Sequence, residues 1–334
     1  MTVWLALFFA IGALGTWLAR AYAVQRNLID HPGERRSHGM ATPRGGGIAI
    51  VLAVLVATLA LAVRDPSRAT LLVGLLVALL LVAGIGWWDD HRPLPAWVRL
   101  GVHIVAASIL AAMVFSAYGE TWLAIAAFIA ALVLTNAWNF MDGINGLAAS
   151  QAALVAAAYA AAISGSIWAW LGWALVAACA GFLPFNFPRA RIFLGDVGSG
   201  ALGFAIAALA VIAVGEDGIA WPLALLPLSA FVIDAGLTLS RRLVRGERWW
   251  TAHAQHAYQG WARRVGSHVT VTLGYATWTG LGLLLTAGLH FHTGVFLTFA
   301  AVFAWYTSGA FLWWCLQGRG TGSRQADQME WRKE

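Results

Sequence analysis

Charge is what this sequence has least of. Of 334 residues, 60% are hydrophobic and only 11% are Asp, Glu, Lys or Arg, against roughly 25% charged residues in a soluble domain. A water-soluble globule is excluded, and a net charge of +6 spread this thinly gives no case for a nucleic-acid partner. Lysine is almost missing, Lys333 being the only one. Anion binding therefore falls to arginine, whose planar fork grips a phosphate at two points. The two cysteines, Cys179 and Cys315, both lie inside apolar runs, which leaves neither a disulfide framework nor a thiolate metal site. Neither GxxxxGK[ST] nor GxGxxG occurs, so P-loop and Rossmann phosphate cradles are excluded. Internal repeats and low-complexity linkers are missing as well.

What is present is apolar length. Runs of roughly 17 to 23 residues, each able to cross a ~30 Å hydrocarbon core, fall near 2–23, 45–63, 70–88, 99–118, 121–137, 147–163, 166–185, 198–214, 219–239, 270–290 and 294–316. The expectation is an all-α polytopic membrane protein of about eleven transmembrane helices. Residues 1–316 form one integral-membrane domain and 317–334 a polar tail. Ala21, Tyr22 and Ala23 mimic a signal-peptidase site, but Arg20 and Arg26 follow the apolar run and no basic residues precede it, so the first span reads as an uncleaved helix.

Basic residues set the orientation. Alternate loops hold five around 20–44, two at Arg92 and Arg99, two at Arg189 and Arg191, six from Arg241 to Arg264 and four in the tail, against Arg64 and Arg68 on the other side. This predicts an N-terminus outside, a C-terminus inside and the segment around Asp196 in the cytoplasm. The outer connections (RDPSR, YGE, SGS, GEDG, HFHTG) are so short that nothing is expected to fold or bind there.

The inner loops collect the polar groups. Between Phe185 and Gly200 the segment FNFPRARIFLGDVGSG sets Asp196 among Gly195, Gly198 and Gly200. Small residues allow close approach of a ligand, and a helix starting near Ser199 would aim its positive end at an anion. The first inner loop carries Asp30, Arg35, Arg36, His38 and Arg44 ahead of a triple glycine. Asp89 and Asp90 end the third span as adjacent carboxylates that a cation would make useful. Asn136, Asn139, Asp142 and Asn145 recur every three residues, as on one helical face. His253 and His256 lie among arginines with no cysteine to complete a tetrahedral zinc set, so a phosphate or sugar contact is the better reading. Asp234 is an intramembrane carboxylate that either serves a site or pairs with Arg241 or Arg242.

Taken together, His38 to Gly47 (H-x-x-x-TPRGGG), DD at 89–90, NAWNFMDGINGLA at 136–148, N-x-P with IFLGDVGS at 186–199 and HAQH at 253–256 resemble the polyprenyl-phosphate N-acetylhexosamine-1-phosphate transferases of glycosyltransferase family 4. The HAQHAYQ form is most similar to the branch that starts O-antigen chains. The resemblance implies transfer of a sugar 1-phosphate from a UDP-N-acetylhexosamine to undecaprenyl phosphate, with release of UMP and with magnesium as cofactor. It implies that Asp196 binds the metal, Phe193 stacks on uracil and Asn186 contacts the nucleotide. Asp89, Asp90, Asn139 and Asp142 line the same cleft, with Arg44, Asn145, His253 and His256 among the substrate contacts. A homodimer is left open. One departure is Asn145, where the family's D-G-x-D pattern has a second aspartate; another is Ala254-Gln255, where other branches carry adjacent histidines. Two other classes compete. An intramembrane aspartyl protease needs G-x-G-D, but Phe193 replaces the first glycine. A secondary transporter should show midplane charges in paired broken helices, whereas these carboxylates cluster at span ends.

Overall fold

The computed structural model describes residues 1–31, 40–248, 250–251, 253–290 and 294–318. Arg35, Arg36 and His38, and the tail from 319 with Lys333, lie outside them. The described chain is nearly all helical. In order, the helices are α1 (Thr2–Gln25), α2 (Ile48–Arg64), α3 (Ala69–His91), α4 (Ala96–Tyr118), α5 (Thr121–Met141), α6 (Leu147–Ala162), α7 (Ile167–Asn186), α8 (Asp196–Gly215), α9 (Trp221–Ala224), α10 (Ser229–Val244), α11 (Ala257–Val265), α12 (His268–His290) and α13 (Val295–Gly318). A two-residue ladder pairs Ile29–Asp30 with Thr42–Pro43 in antiparallel fashion.

Eight of these helices are long and apolar enough to cross a membrane: α1, α3, α4, α5, α7, α8, α12 and α13. α2 and α6 are apolar but shorter, at 17 and 16 residues. The span expected over 219–239 is broken. It opens with the single turn of α9, passes through tight i to i+3 bonds around Leu226 and Leu228, and resumes as α10. Pro227 explains the break, since proline lacks an N–H and clashes with the preceding turn. Ser229 Oγ then anchors α10, accepting from Trp278 Nε1 at 3.1 Å and Trp305 Nε1 at 2.9 Å.

α8 is the axis of the bundle. Every residue from Val197 to Ala213 is buried, as expected of a helix that is apolar all round. Small residues bring its neighbours close, which is how helices pack where lipid removes the hydrophobic drive between them. A Cβ on Gly203 would stand 2.2 Å from the Leu134 carbonyl oxygen of α5, and one on Gly198 would stand 2.6 Å from the Gly47 Cα ahead of α2. Gly198 and Gly47 therefore serve each other, and not a ligand as their composition suggests.

Just past the far end of α8, Glu216 corrects the expectation that nothing folds at the short connections. Its carboxylate accepts from Arg68 Nη1 at 2.8 Å, Ser166 Oγ at 2.8 Å and Tyr118 Oη at 3.1 Å. Burial acts to raise this carboxyl, but the bonds from Ser166 and Arg68 outweigh it and hold it below the ordinary range. Four connections are tied together at that end.

Candidate active site

The first N–H groups of a helix have no partner within it. For α8 they find Asp90, in the last turn of α3. Asp90 Oδ1 accepts from Asp196 N at 3.1 Å and Oδ2 from Val197 N at 3.0 Å, and the residue is only 2% exposed. Arg44 approaches from the first loop, donating Nη2 to the Asp90 carbonyl with Nε 3.9 Å from Oδ1. Gly195 makes the turn with φ +77°, and a Cβ there would meet Asp90 Oδ2 at 2.7 Å. This corrects the sequence expectation in two respects. α8 begins at Asp196, not near Ser199, and the anion at its positive end belongs to the protein itself. Asp90 therefore positions the helix.

Asp89 points the other way. The prolines of the α3–α4 connection turn the chain back, so the first turn of α4 faces the end of α3. Leu94 N donates to Asp89 Oδ1 at 2.5 Å and Arg99 Nη1 to Oδ2 at 2.7 Å. The same Arg99 nitrogen lies 3.5 Å from Asp196 Oδ2, so one guanidinium joins the two carboxyl groups. On the other side, Asn139 Nδ2 donates to Asp196 Oδ1 at 2.6 Å and to Ser199 Oγ at 3.0 Å. Asp142 follows at the end of α5. Burial, then the charges of Asp196 and Asp90, push its carboxyl up to about 8, so it carries a proton at neutral pH.

The other predicted residues divide. The three-residue row does not stay on one face, because α5 stops at Met141. Asn136 Nδ2 turns back to the Leu132 carbonyl at 2.8 Å, while Asn145 Nδ2 reaches the Pro188 carbonyl at 3.0 Å. Asn186 is buried, with Oδ1 accepting from Gly146 N at 2.7 Å and Nδ2 donating to the Ile192 carbonyl at 2.9 Å. Both ends of its amide brace the loop, and one N–H and one carbonyl lone pair remain. Phe193 is half-buried on a short extended stretch, its N–H donating to the Pro43 carbonyl at 2.8 Å and its carbonyl accepting from Gly46 N at 2.9 Å.

The histidine loop closes the site. Asp234 accepts from Ala257 N at 2.8 Å, Tyr258 N at 3.1 Å and Tyr275 Oη at 2.7 Å, with His256 Nδ1 at 3.7 Å. It meets the start of α11, as Asp90 meets the start of α8. Arg242 is used elsewhere, 3.2 Å from Glu247. His253 and His256 lie 4.8 Å apart by ring centroids, both against Phe140, and Tyr258 Oη donates to the Phe140 carbonyl at 3.1 Å. A Cβ on Gly143 would meet that hydroxyl at 2.0 Å. Both histidines are thus set beside the segment that ends in Asp142.

Among the described residues, no three His, Cys, Asp or Glu side chains converge as a closed metal site. Magnesium does not require one, since it takes hard oxygen ligands from one or two carboxylates and completes its shell with water and substrate phosphates. Asp89 and the partly exposed Asp196 fit that requirement. Sequence reasoning missed Arg99, which it counted only as a charge marking the inner side, and the paired role of Ser199. A cation one turn into the helix that follows a proline-bounded connection was the available signal.

The segment that holds these acids has known counterparts. Residues 72–214 match the model described as glycosyl transferase family 4, a stretch running from α3 to α8. The decaprenyl-phosphate N-acetylglucosaminephosphotransferase of Mycobacterium leprae (strain TN) is 30% identical over 330 residues, covering 84% of this chain and 80% of its own. A Bacillus subtilis (strain 168) protein named "Probable undecaprenyl-phosphate N-acetylglucosaminyl 1-phosphate transferase" is 32% identical, covering 59% of this chain and 58% of its own. The phospho-N-acetylmuramoyl-pentapeptide-transferase of Heliobacterium modesticaldum (strain ATCC 51547 / Ice1) is 33% identical, covering 61% and 72%. Since the first of these similarities runs through nearly the whole chain and the family segment carries Asp89, Asp90, Asp142 and Asp196, the protein belongs to glycosyl transferase family 4.

Proposed function

We propose that this protein transfers an N-acetylhexosamine 1-phosphate from a UDP-sugar to undecaprenyl phosphate, releasing UMP, as the first membrane step of O-antigen or a related envelope polysaccharide. The observation that carries this reading is the pairing of Asp89 and Asp196 beneath Arg99 at one end of an apolar bundle. By the bias of basic residues that end faces the cytoplasm, where nucleotide sugars are available.

The catalytic problem is charge. A phosphate monoester carries about −1.5 to −2 at pH 7, and the donor diphosphate adds more. Asp196 and Asp89 would hold magnesium, which would supply neutralisation of phosphate oxygens when bound. The chain does the rest by placement. Asn139 fixes the Asp196 carboxylate, and Asp90 fixes the helix on which Asp196 rides. Arg44, its side chain 28% exposed, stands beside Asp90 and is offered to a substrate phosphate. Phe193 offers a ring face for uracil, His253 and His256 meet the diphosphate or sugar, and protonated Asp142 can donate to a substrate oxygen. The acceptor phosphate is already ionised, so no residue has to remove its proton.

The test is release of UMP from purified protein given undecaprenyl phosphate and a panel of UDP-N-acetylhexosamines. Formation of a lipid-linked sugar diphosphate with one of them is expected. Absence of UMP with every donor in the presence of magnesium would overturn the reading.

A further inference from the structure

Arg99 sends one guanidinium nitrogen to two acids at once, 2.7 Å from Asp89 Oδ2 and 3.5 Å from Asp196 Oδ2. Both acids belong to the proposed cation site, and a positive charge is already seated between them. A guanidinium and a divalent cation cannot share that seat, because like charges repel strongly at such separations in a partly desolvated cleft. Without any cation the paired carboxylates would be left uncompensated, which is costly.

We propose that Arg99 occupies, in the ligand-free protein, the place a divalent cation takes between Asp89 and Asp196, and that on cation entry its fork turns to the donor diphosphate. Arg99 is suited to both positions. Its side chain is 30% exposed, so it can swing without unpacking the bundle. Its planar fork fits carboxylate and phosphate alike. Asp89 stays held by Leu94 N at 2.5 Å and Asp196 by Asn139 at 2.6 Å when the guanidinium leaves, so the seat keeps its shape. Cation and nucleotide should then bind cooperatively, each freeing or using the same arginine. The identity of the anion rests on the transferase reading; the exchange of arginine for cation does not.

The test is Mn²⁺ binding to the purified full chain in detergent, read from the electron paramagnetic resonance of free Mn²⁺ with no nucleotide present. Arg99→Met should bind Mn²⁺ at least about fivefold more tightly than the native chain, within the usual span of site-to-site coupling. Arg99→Lys, a weaker competitor with a shorter reach, should give a smaller gain of the same sign and carries the test if Arg99→Met does not fold. Unchanged or weakened Mn²⁺ binding in the folded variant, with native binding intact, would overturn the exchange. UDP should tighten Mn²⁺ binding in the native chain and do so less in the variant. A gain without nucleotide but no response to UDP would uphold the exchange and overturn the diphosphate half together with the UDP-sugar reading. Failure of both proteins to bind Mn²⁺ would overturn the cation site itself.

Discussion

The backbone N–H of Asp196 donates to the Asp90 carboxylate at 3.1 Å, while the Asp196 side chain turns away toward Asn139 and Arg99. Two neighbouring aspartates therefore do different work. Asp90 holds the start of α8, while Asp89 is paired with Arg99 beside Asp196. Asp90→Ala should act first on stability, since it leaves two buried N–H groups without an acceptor at a cost of ~1–3 kcal/mol each. It also removes a negative charge from the helix N-terminus, worth up to ~2 kcal/mol. A clearly larger drop in thermal midpoint in detergent for Asp90→Ala, which orphans two helix N–H groups, than for Asp89→Ala, which orphans the single N–H of Leu94, is the expected pattern. Equal midpoints would contradict the division of labour.

Asp196→Asn should abolish transfer while the protein elutes and melts as the native chain does. The amide keeps the bond to Asn139 through its oxygen but loses the charge that holds a cation. A loss of at least about 10²-fold in turnover is expected, the scale of removing one electrostatic stabiliser. Near-normal turnover at saturating magnesium would sink the assignment.

Asp142 makes a prediction about pH. Its ordinary value is 3.8, and burial with the Asp196 and Asp90 charges raises it to about 8 in the folded chain. Between those limits the folded state binds more protons than the unfolded state, so stability must fall as pH rises. The contribution is full below about 4 and is lost as pH passes through about 8. Asp142→Asn has no such proton to lose. Its thermal midpoint, followed from pH 5 to pH 9, should therefore decline less steeply than that of the native protein, and the two curves should separate most above pH 8. Parallel curves would mean that Asp142 is ionised throughout.

The membrane character, the positions of the long helices and the gathering of acids at one end were legible because apolar length and the spacing of basic loops are local properties of a chain. The direction of each side chain was not. Asp89 and Asp90 look alike in sequence, and only the packing of α3 against the start of α8 separates them. Asn186 looks like a ligand contact, and nothing local to it shows that its amide also ties Gly146 to Ile192. Glu216 looked like part of an idle turn because its partners Arg68, Tyr118 and Ser166 lie 50 or more residues away. The break before Ser229 was readable from Pro227 but was overridden by the hydrophobicity around it.

Topology can be tested through those same ends. A membrane-impermeant thiol reagent applied to intact cells should label Asp217→Cys, one residue past the Glu216 knot, and should reach Glu247→Cys only after permeabilisation. The reverse pattern would move the acidic site across the membrane.

The last prediction concerns how the acceptor phosphate becomes a nucleophile. Asp89 invites a general-base role, being an acid beside the proposed cation seat. Two observations argue against it. The carboxylate is already engaged by Leu94 N and, in the ligand-free protein, by Arg99, and the cation proposed to replace Arg99 would engage it in turn, so it is not free to take a proton. A phosphate monoester with a second pKa near 6 is, moreover, largely ionised at pH 7, so little proton remains to be removed. Asp89→Asn should therefore lose activity by misplacing Arg99 and the cation, and the deficit should persist as the assay pH is raised from about 7 to 9. A base would matter less once solution alone has ionised the nucleophile. Recovery of Asp89→Asn toward native rates at pH 9 would restore the base mechanism and remove placement as the role of this residue.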